Sequence, residues 1–247
     1  MNEPHIYAVI IGSEILNGRR VDKHFDFVKQ ALSARGYSLY SVEIIKDDKP
    51  LIKSSFERVL ADEKSMLFCF GGIGSTPDDL TRAIAADVFT SKPLVRHKQF
   101  EKDVIERFAE GAFPHRIHMS DLPEDASLLK NPVNNMSGFC LENRYFFTPG
   151  FPEMAHPMVK EAIERFLPLN RPLYRYTFLA RCSEERFIDL MKTIPEEVEC
   201  SSLPMFVDDK ANVEISVASY DEQKSLKYFS LFIEFLEDNK ISHEVRS

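Results

Sequence analysis

Short, near-continuous apolar runs alternate along the N-terminal part of the chain with segments whose apolar residues recur at helical spacing. Residues 5–11 (His-Ile-Tyr-Ala-Val-Ile-Ile) have the pattern of a strand buried on both faces of a parallel sheet. Val21, Phe25, Val28 and Leu32 then share one helical face, and Gly36 suits the end of that helix. A second strand is expected over 37–45. The stretch Lys46-Asp47-Asp48-Lys49-Pro50 breaks it and opens a helix through Leu51, Ile52, Phe56, Val59 and Leu60. Residues 66–70 form a third apolar run, too short for a helix, and Leu80, Ile84 and Val88 mark the helix beyond it. This βαβαβα order predicts a parallel-rich sheet with right-handed crossovers and helices on both faces, a three-layer α/β fold.

The pattern is less regular afterwards. Phe100, Val104, Ile105 and Phe108 predict a helix over 98–108. Residues 114–119 read as an irregular connector holding His115, Arg116 and His118, with Arg116 a candidate phosphate contact. Residues 127–130, an Asn-Pro turn at 131–135 and a hairpin of 138–141 with 145–148 follow. Pro149-Gly150-Phe151-Pro152 then leads into a helix through Met158, Ala162, Ile163 and Phe166.

Residues 168–172, with two prolines, read as a linker between a domain of residues 1–168 and a smaller one of residues 169–247. The second carries a strand (173–180), a short helix (184–192), a hairpin of 198–205 with 213–218 around Asp208-Asp209-Lys210, a helix marked by Leu226, Phe229, Ile233 and Leu236, and a last strand. That βαββαβ order is the α+β, ferredoxin-like arrangement. With no glycine loop or ionisable cluster, it reads as a packing or oligomerisation module.

At 44% hydrophobic and 28% charged residues the chain has the composition of a soluble globular protein. Its formal net charge of −8 disfavours nucleic-acid and anionic-membrane partners. No apolar stretch approaches the length of a membrane span, and the N-terminus lacks the features of a signal peptide. Cys69, Cys140, Cys182 and Cys200 have no Cys-x-x-Cys spacing, so neither a zinc site nor a disulfide framework is indicated. A cytoplasmic location is expected.

Candidate chemistry centres on Gly71-Gly72-Ile73-Gly74-Ser75-Thr76-Pro77-Asp78-Asp79. Its glycines permit a tight turn and close approach of a ligand. Ser75 and Thr76 suit an N-cap, and Pro77 a first helical position, which places Asp78 and Asp79 in the first helical turn. A strand, a glycine loop and a helix N-terminus together present N–H groups to an anion. The same residues would serve an ordinary βα turn, and the spacing is neither the dinucleotide fingerprint nor the Walker loop. The two acids favour a site, since beside a phosphate they call for a divalent cation between. Glu14, Asp47 and Asp48 likewise fall just past strand ends, the edge where open α/β sheets bind ligands. Any one of these acids could instead complement a helix dipole.

Taken together, these loops resemble the molybdopterin-binding-like domain of the competence/damage-inducible CinA family, shared with MoaB, MogA and gephyrin. Gly12-Ser13-Glu14-Ile15-Leu16-Asn17-Gly18 is similar to the family's Gly-Asp-Glu-Ile-Leu-x-Gly, and Asp47-Asp48 to its acidic pair. Residues 71–81 resemble Gly-Gly-Leu-Gly-Pro-Thr-Pro-Asp-Asp-Leu-Thr; Asn131-Pro132-Val133 and Pro149-Gly150-Phe151-Pro152-Glu153-Met154 complete the set. Ser13 departs from the family's aspartate, removing one candidate metal ligand or proton acceptor.

The resemblance implies a MoaB/MogA-like fold and hydrolysis of ADP-ribose or a related nucleoside diphosphate compound with a divalent metal, Mg²⁺ or else Mn²⁺ or Co²⁺. The alternative it carries is a nucleotide- or molybdopterin-binding protein without turnover. The deamidase activity of the further domain found in full-length CinA is not carried over. On this reading Asp47 and Asp79 are catalytic, and Asp48 and Asp79 hold the metal. Ser13, Glu14, Gly71, Gly72, Ile73, Gly74, Ser75, Thr76, Asp78, Asn131, Pro149, Gly150 and Pro152 bind the ligand. The partners expected are a small nucleotide or pterin and further copies of the chain.

Overall fold

The computed structural model describes residues 3–207 and 210–246. Its contacts divide the chain into two compact units, Met1–Asn170 and Arg171–Ser247.

The first unit runs β1 (His5–Ile11), α1 (Ser13–Leu16), α2 (His24–Ser33), β2 (Ser41–Ile45), α3 (Lys49–Ala61), β3 (Ser65–Phe70) and α4 (Thr81–Ala85). It continues through β4 (Leu94–Arg96), α5 (Lys98–Phe108), β5 (Asp121–Pro123), β6 (Ser127–Leu129), β7 (Gly138–Leu141), β8 (Tyr145–Thr148) and α6 (Pro152–Phe166). Six strands form one sheet in the order β2-β1-β3-β8-β7-β6. The first four are parallel neighbours, while β7 is antiparallel to both β8 and β6.

The period-2 geometry of strands sorts the apolar runs into two cores. Tyr7, Val9, Leu67 and Cys69 face α3, α4 and α5, where Ile52, Phe56, Ile84 and Val104 are buried. Ile6, Ile10, Phe68 and Phe70 face α2 and α6, where Val28, Leu32, Ala155 and Val159 are buried. Burial on both faces is why these strands read as unbroken apolar runs. Cys69 and Cys140 lie buried as free thiols within this packing.

Several boundaries differ from the sequence expectation. The strand expected over 37–45 forms only at Ser41–Ile45. The loop between Gly12 and Gly18 contains a short helix, α1. Leu94–Arg96 and Asp121–Pro123, unanticipated, pair as a small separate ribbon, and Arg116–Ser120 of the connector winds into a 3₁₀ helix. The largest difference follows the glycine loop: α4 begins at Thr81, with Leu80 as its N-cap and no side-chain cap. Ser75, Thr76, Pro77, Asp78 and Asp79 therefore precede the helix.

The second unit comprises β9 (Tyr174–Ala180), a 3₁₀ turn leading into α7 (Ile188–Met191), β10 (Glu199–Val207), β11 (Lys210–Ser219), α8 (Glu222–Asp238) and β12 (His243–Arg246). Its antiparallel sheet has the order β10-β11-β9-β12, the strand order of the split-βαβ arrangement. Phe178, Phe187, Val213, Ile215 and Phe232 form its core. The hairpin strands extend further than expected; Asp208 and Asp209 lie outside the described residues.

Candidate ligand-binding cleft

Because β2, β1, β3 and β8 are parallel neighbours, the loops after their C-terminal ends meet at one rim. A cleft of about 550 Å³ opens there. Of the residues singled out in the sequence, Glu14, Asp47, residues 71–76, Asp78, Asp79, Pro149 and Gly150 line it. Ser13, Asp48, Asn131 and Pro152 are not among its lining.

The glycine loop is shaped by contacts with its own chain. Gly71 and Gly72 have φ of 98° and 69°, in the left-handed region. A Cβ on Gly71 would come 2.3 Å from Ile11 O, and one on Gly72 2.3 Å from Thr81 Oγ1. Thr81, fully buried, donates through Oγ1 to Gly71 O at 2.9 Å and through N–H to Gly72 O at 3.0 Å. The buried Arg82 guanidinium donates to Ile73 O and Gly74 O from beneath. Burial lowers its pKa, against the raising effect of the Asp79 and Asp121 charges.

Asp79 completes the turn. Its carboxylate accepts Gly74 N–H at 2.8 Å, Thr76 N–H at 2.7 Å and Thr76 O–H at 2.6 Å. Asp79, expected as a catalytic and metal-binding acid, thus also braces the loop. Two of the N–H groups expected to face an anion serve this carboxylate. Those of Gly72, Ile73 and Ser75 take no acceptor among the described residues. Asp78, exposed on the next position, has its carboxyl pKa lowered, chiefly by the Thr76 side chain.

The acidic pair after β2 is split by a tight turn, in which Asp48 N–H donates to Lys46 O at 2.8 Å. Asp47 lines the cleft, and its Oδ2 accepts Ser13 N–H at 2.8 Å. Asp48 is the N-cap of α3, with Oδ1 accepting Leu51 N–H at 3.1 Å. The carboxylate expected to hold a metal thus serves the start of α3 through Oδ1. Pro152 begins α6 as an early-helix proline. Asn131 is buried and braces the loop that carries Asn134, Met136 and Ser137 to the cleft.

Beneath the 149–151 wall lies His24, 3% exposed. Its Nε2 is 3.4 Å from Gly150 O, and its ring stacks on Phe70 with centroids 4.3 Å apart. Burial pushes its pKa down to about 4, only partly opposed by the Gly150 carbonyl.

Further cleft residues had no motif to announce them. Phe100 and Phe108, legible as a helix's apolar face, line it from α5, and Arg107 beside them carried no signal. Arg20 lies over the Phe151 ring at 5.3 Å and pairs with Glu14 at 3.3 Å. Met119, Met136 and Met154 add thioether surface. Arg116 instead donates to Gly111 O at 2.8 Å outside the cleft lining.

Among the described residues no three His, Cys, Asp or Glu side chains gather to hold a metal. The acids of the cleft, Glu14, Asp47, Asp78 and Asp79, are hard oxygen donors. They suit a Mg²⁺-like ion that takes one or two carboxylates and completes its shell with ligand phosphates.

The family model described as a probable molybdopterin binding domain matches residues 7–169. The chain therefore belongs to that family, and the cleft lies within the matched segment. Within the family it is similar to a CinA-like protein of Acaryochloris marina, 31% identical over 168 residues, or 65% of this chain and 39% of that protein. A protein of Thermococcus kodakarensis is 30% identical over 193 residues, 72% of this chain and 75% of its own length. The solved structure of CinA from Thermoplasma acidophilum, described as of unknown function, superposes with a TM-score of 0.58 at 24% identity, covering 65% of this chain and 97% of that one. The first unit thus shares the α/β fold of that CinA structure, and its match spans well under half the length of the CinA-like relative. No helix among the described residues is long and apolar enough to cross a membrane.

Proposed function

We propose that the first unit is a nucleotide pyrophosphatase, splitting the phosphoanhydride of a nucleoside diphosphate compound such as ADP-ribose with water to give AMP and a sugar phosphate. The observation that carries this reading is the presence of Asp47 and Glu14 in one cleft with the glycine loop. The unbonded N–H groups of that loop would receive phosphate oxygens and oppose the charge that develops on them. Asp47, with one carboxylate oxygen engaged by Ser13 N–H, would orient the attacking water through the other. The Arg20–Phe151 contact would wall the cleft against bulk water. A divalent ion held by Asp47 and Asp78 with phosphate oxygens would supply charge neutralisation and a more acidic bound water.

A second reading, retention of a nucleotide or of molybdopterin without turnover, is favoured by a specific observation. The carboxylates of Asp48 and Asp79 already serve the protein's own N–H groups. One experiment separates the two. The protein is incubated with ADP-ribose with and without Mg²⁺, Mn²⁺ or Co²⁺, and AMP is followed by chromatography. Metal-dependent AMP release that disappears in Asp47→Asn supports hydrolysis. No AMP, from protein that retains the nucleotide or a pterin by calorimetry, replaces it with the binding role. We further propose a cytoplasmic homo-oligomer, which light scattering tests for its assembly.

A further inference from the structure

The loop between β6 and β7 contains an arrangement that phosphate binding does not require. Asn131 is fully buried, and its Oδ1 accepts Val133 N–H at 3.0 Å. A backbone N–H can only donate, so this bond fixes which end of the amide is oxygen. The Asn131 Nδ2 then donates to Asn134 Oδ1 at 2.8 Å and to Met136 O at 3.1 Å.

The same logic fixes Asn134. Its Oδ1 accepts Met136 N–H at 2.9 Å as well as the Asn131 amide, so two donors hold the oxygen toward the loop. The Nδ2 is left on the other side, where it meets Met154 Sδ at 3.0 Å. A thioether is a weak acceptor, and a primary amide has two hydrogens to give. Asn134, Met136, Met154 and Phe108 all line the cleft. A pure donor is therefore fixed in orientation among thioether and aromatic surfaces, which pack well on flat rings.

We infer that Asn134 is the specificity-determining donor of the cleft: its Nδ2 recognises an acceptor, a carbonyl oxygen or ring nitrogen, on the edge of a planar heterocycle seated among Met136, Met154 and Phe108. The inference rests on the reading of the cleft as a nucleotide or pterin site and assigns the part of the ligand away from the phosphates. A site with a fixed donor rejects a ring lacking the matching acceptor, because the donor would be left unpaired. Asn131 is the positioning residue behind it.

The test is calorimetry on the full chain with pyrophosphate, ADP and 6-carboxypterin, comparing the wild type with Asn134→Asp and Asn134→Ala. Asn134→Asp keeps the acceptor for Asn131 Nδ2 and Met136 N–H, so its melting temperature is expected close to that of the wild type. Asn134→Ala should weaken the ring-bearing probe about tenfold more than pyrophosphate, the effect of one lost hydrogen bond, while Asn134→Asp, whose added charge opposes every anionic probe, shows that the loop still folds. Whether ADP or the pterin shows the loss identifies the ring. Equal weakening of ring probes and pyrophosphate in Asn134→Ala, or none, overturns the inference while the reading of the cleft stands. A wild type that retains none of the three probes overturns both.

Discussion

Ser13 and Asp47 clasp one another through two bonds: Ser13 N–H donates to Asp47 Oδ2 at 2.8 Å, and Asp47 N–H donates to Ser13 Oγ at 3.2 Å. The pair ties the start of α1, just after β1, to the segment after β2 and fixes the acid proposed to act on the ligand. Serine at this position, where the family resemblance expects aspartate, supplies an acceptor without adding a second negative charge beside Asp47.

Removing that acceptor leaves a half-buried N–H without its partner. Ser13→Ala is expected to lose about 1 kcal/mol of stability at every pH. Ser13→Asp keeps an acceptor but sets two carboxylates side by side, which raises their folded-state pKa above the unfolded value. Its penalty is present at neutral pH and is relieved as pH falls below the unfolded carboxylate pKa. Urea unfolding of the variants at pH 8 and pH 4 checks this; a pH-independent Ser13→Asp would refute it.

Asp79 accepts three donors from the loop it closes. Asparagine in its place turns an NH₂ toward one set of them, so Asp79→Asn should cost about 1–3 kcal/mol. Amide exchange at Gly74 and Thr76 should accelerate, and ADP-ribose turnover should fall with it. Unchanged exchange at both amides would show that the brace is not formed.

The glycines of the site differ in what they tolerate. Gly71→Ala combines a left-handed φ with a Cβ 2.3 Å from the Ile11 carbonyl, and should cost on the order of 3 kcal/mol or prevent folding. Gly18→Ala meets nothing within 4 Å at its φ of 78°, so only backbone strain of about 1 kcal/mol is expected. Denaturant unfolding of the pair, read side by side, separates close packing from strain; similar costs would contradict the packing described.

His24 is held neutral by burial, its pKa pushed down to about 4 from the ordinary 6.5. The unfolded chain therefore takes up a proton that the folded chain refuses between these values. Stability from this site is complete above pH 6.5 and is lost as pH falls towards 4, by up to about 3 kcal/mol. His156, its pKa also lowered by burial, adds in the same direction. His24→Phe should flatten the slope between pH 6.5 and 4 in thermal unfolding, and an unaltered slope would assign the effect elsewhere.

Much of the fold was legible in the chain because hydrophobic periodicity is a local signal. The run at 5–11 and the helix at 98–108 stand where the pattern put them, as does the helix opened by Pro152. The 3₁₀ helix at Arg116–Ser120 and the Leu94–Arg96 ribbon escaped it, being too short to complete a period.

Within the candidate site, sequence alone determined the loops: parallel strands with glycine- and acid-bearing turns at their C-terminal ends must bring those turns to one rim. Tertiary structure alone decided what each side chain does there. Asp47 and Asp48 are the same residue type at adjacent positions, yet one faces the cleft and the other caps α3, because the chain turns sharply at Asp47 between β2 and α3. Asp79 became a brace because the chain turned back on its carboxylate before α4 could start. Arg82 and Asn134 acquired their roles from carbonyls and N–H groups that only the folded loops bring within reach. Periodicity records which face of an element is buried, whereas the partner of a polar atom is set by where distant loops come to rest.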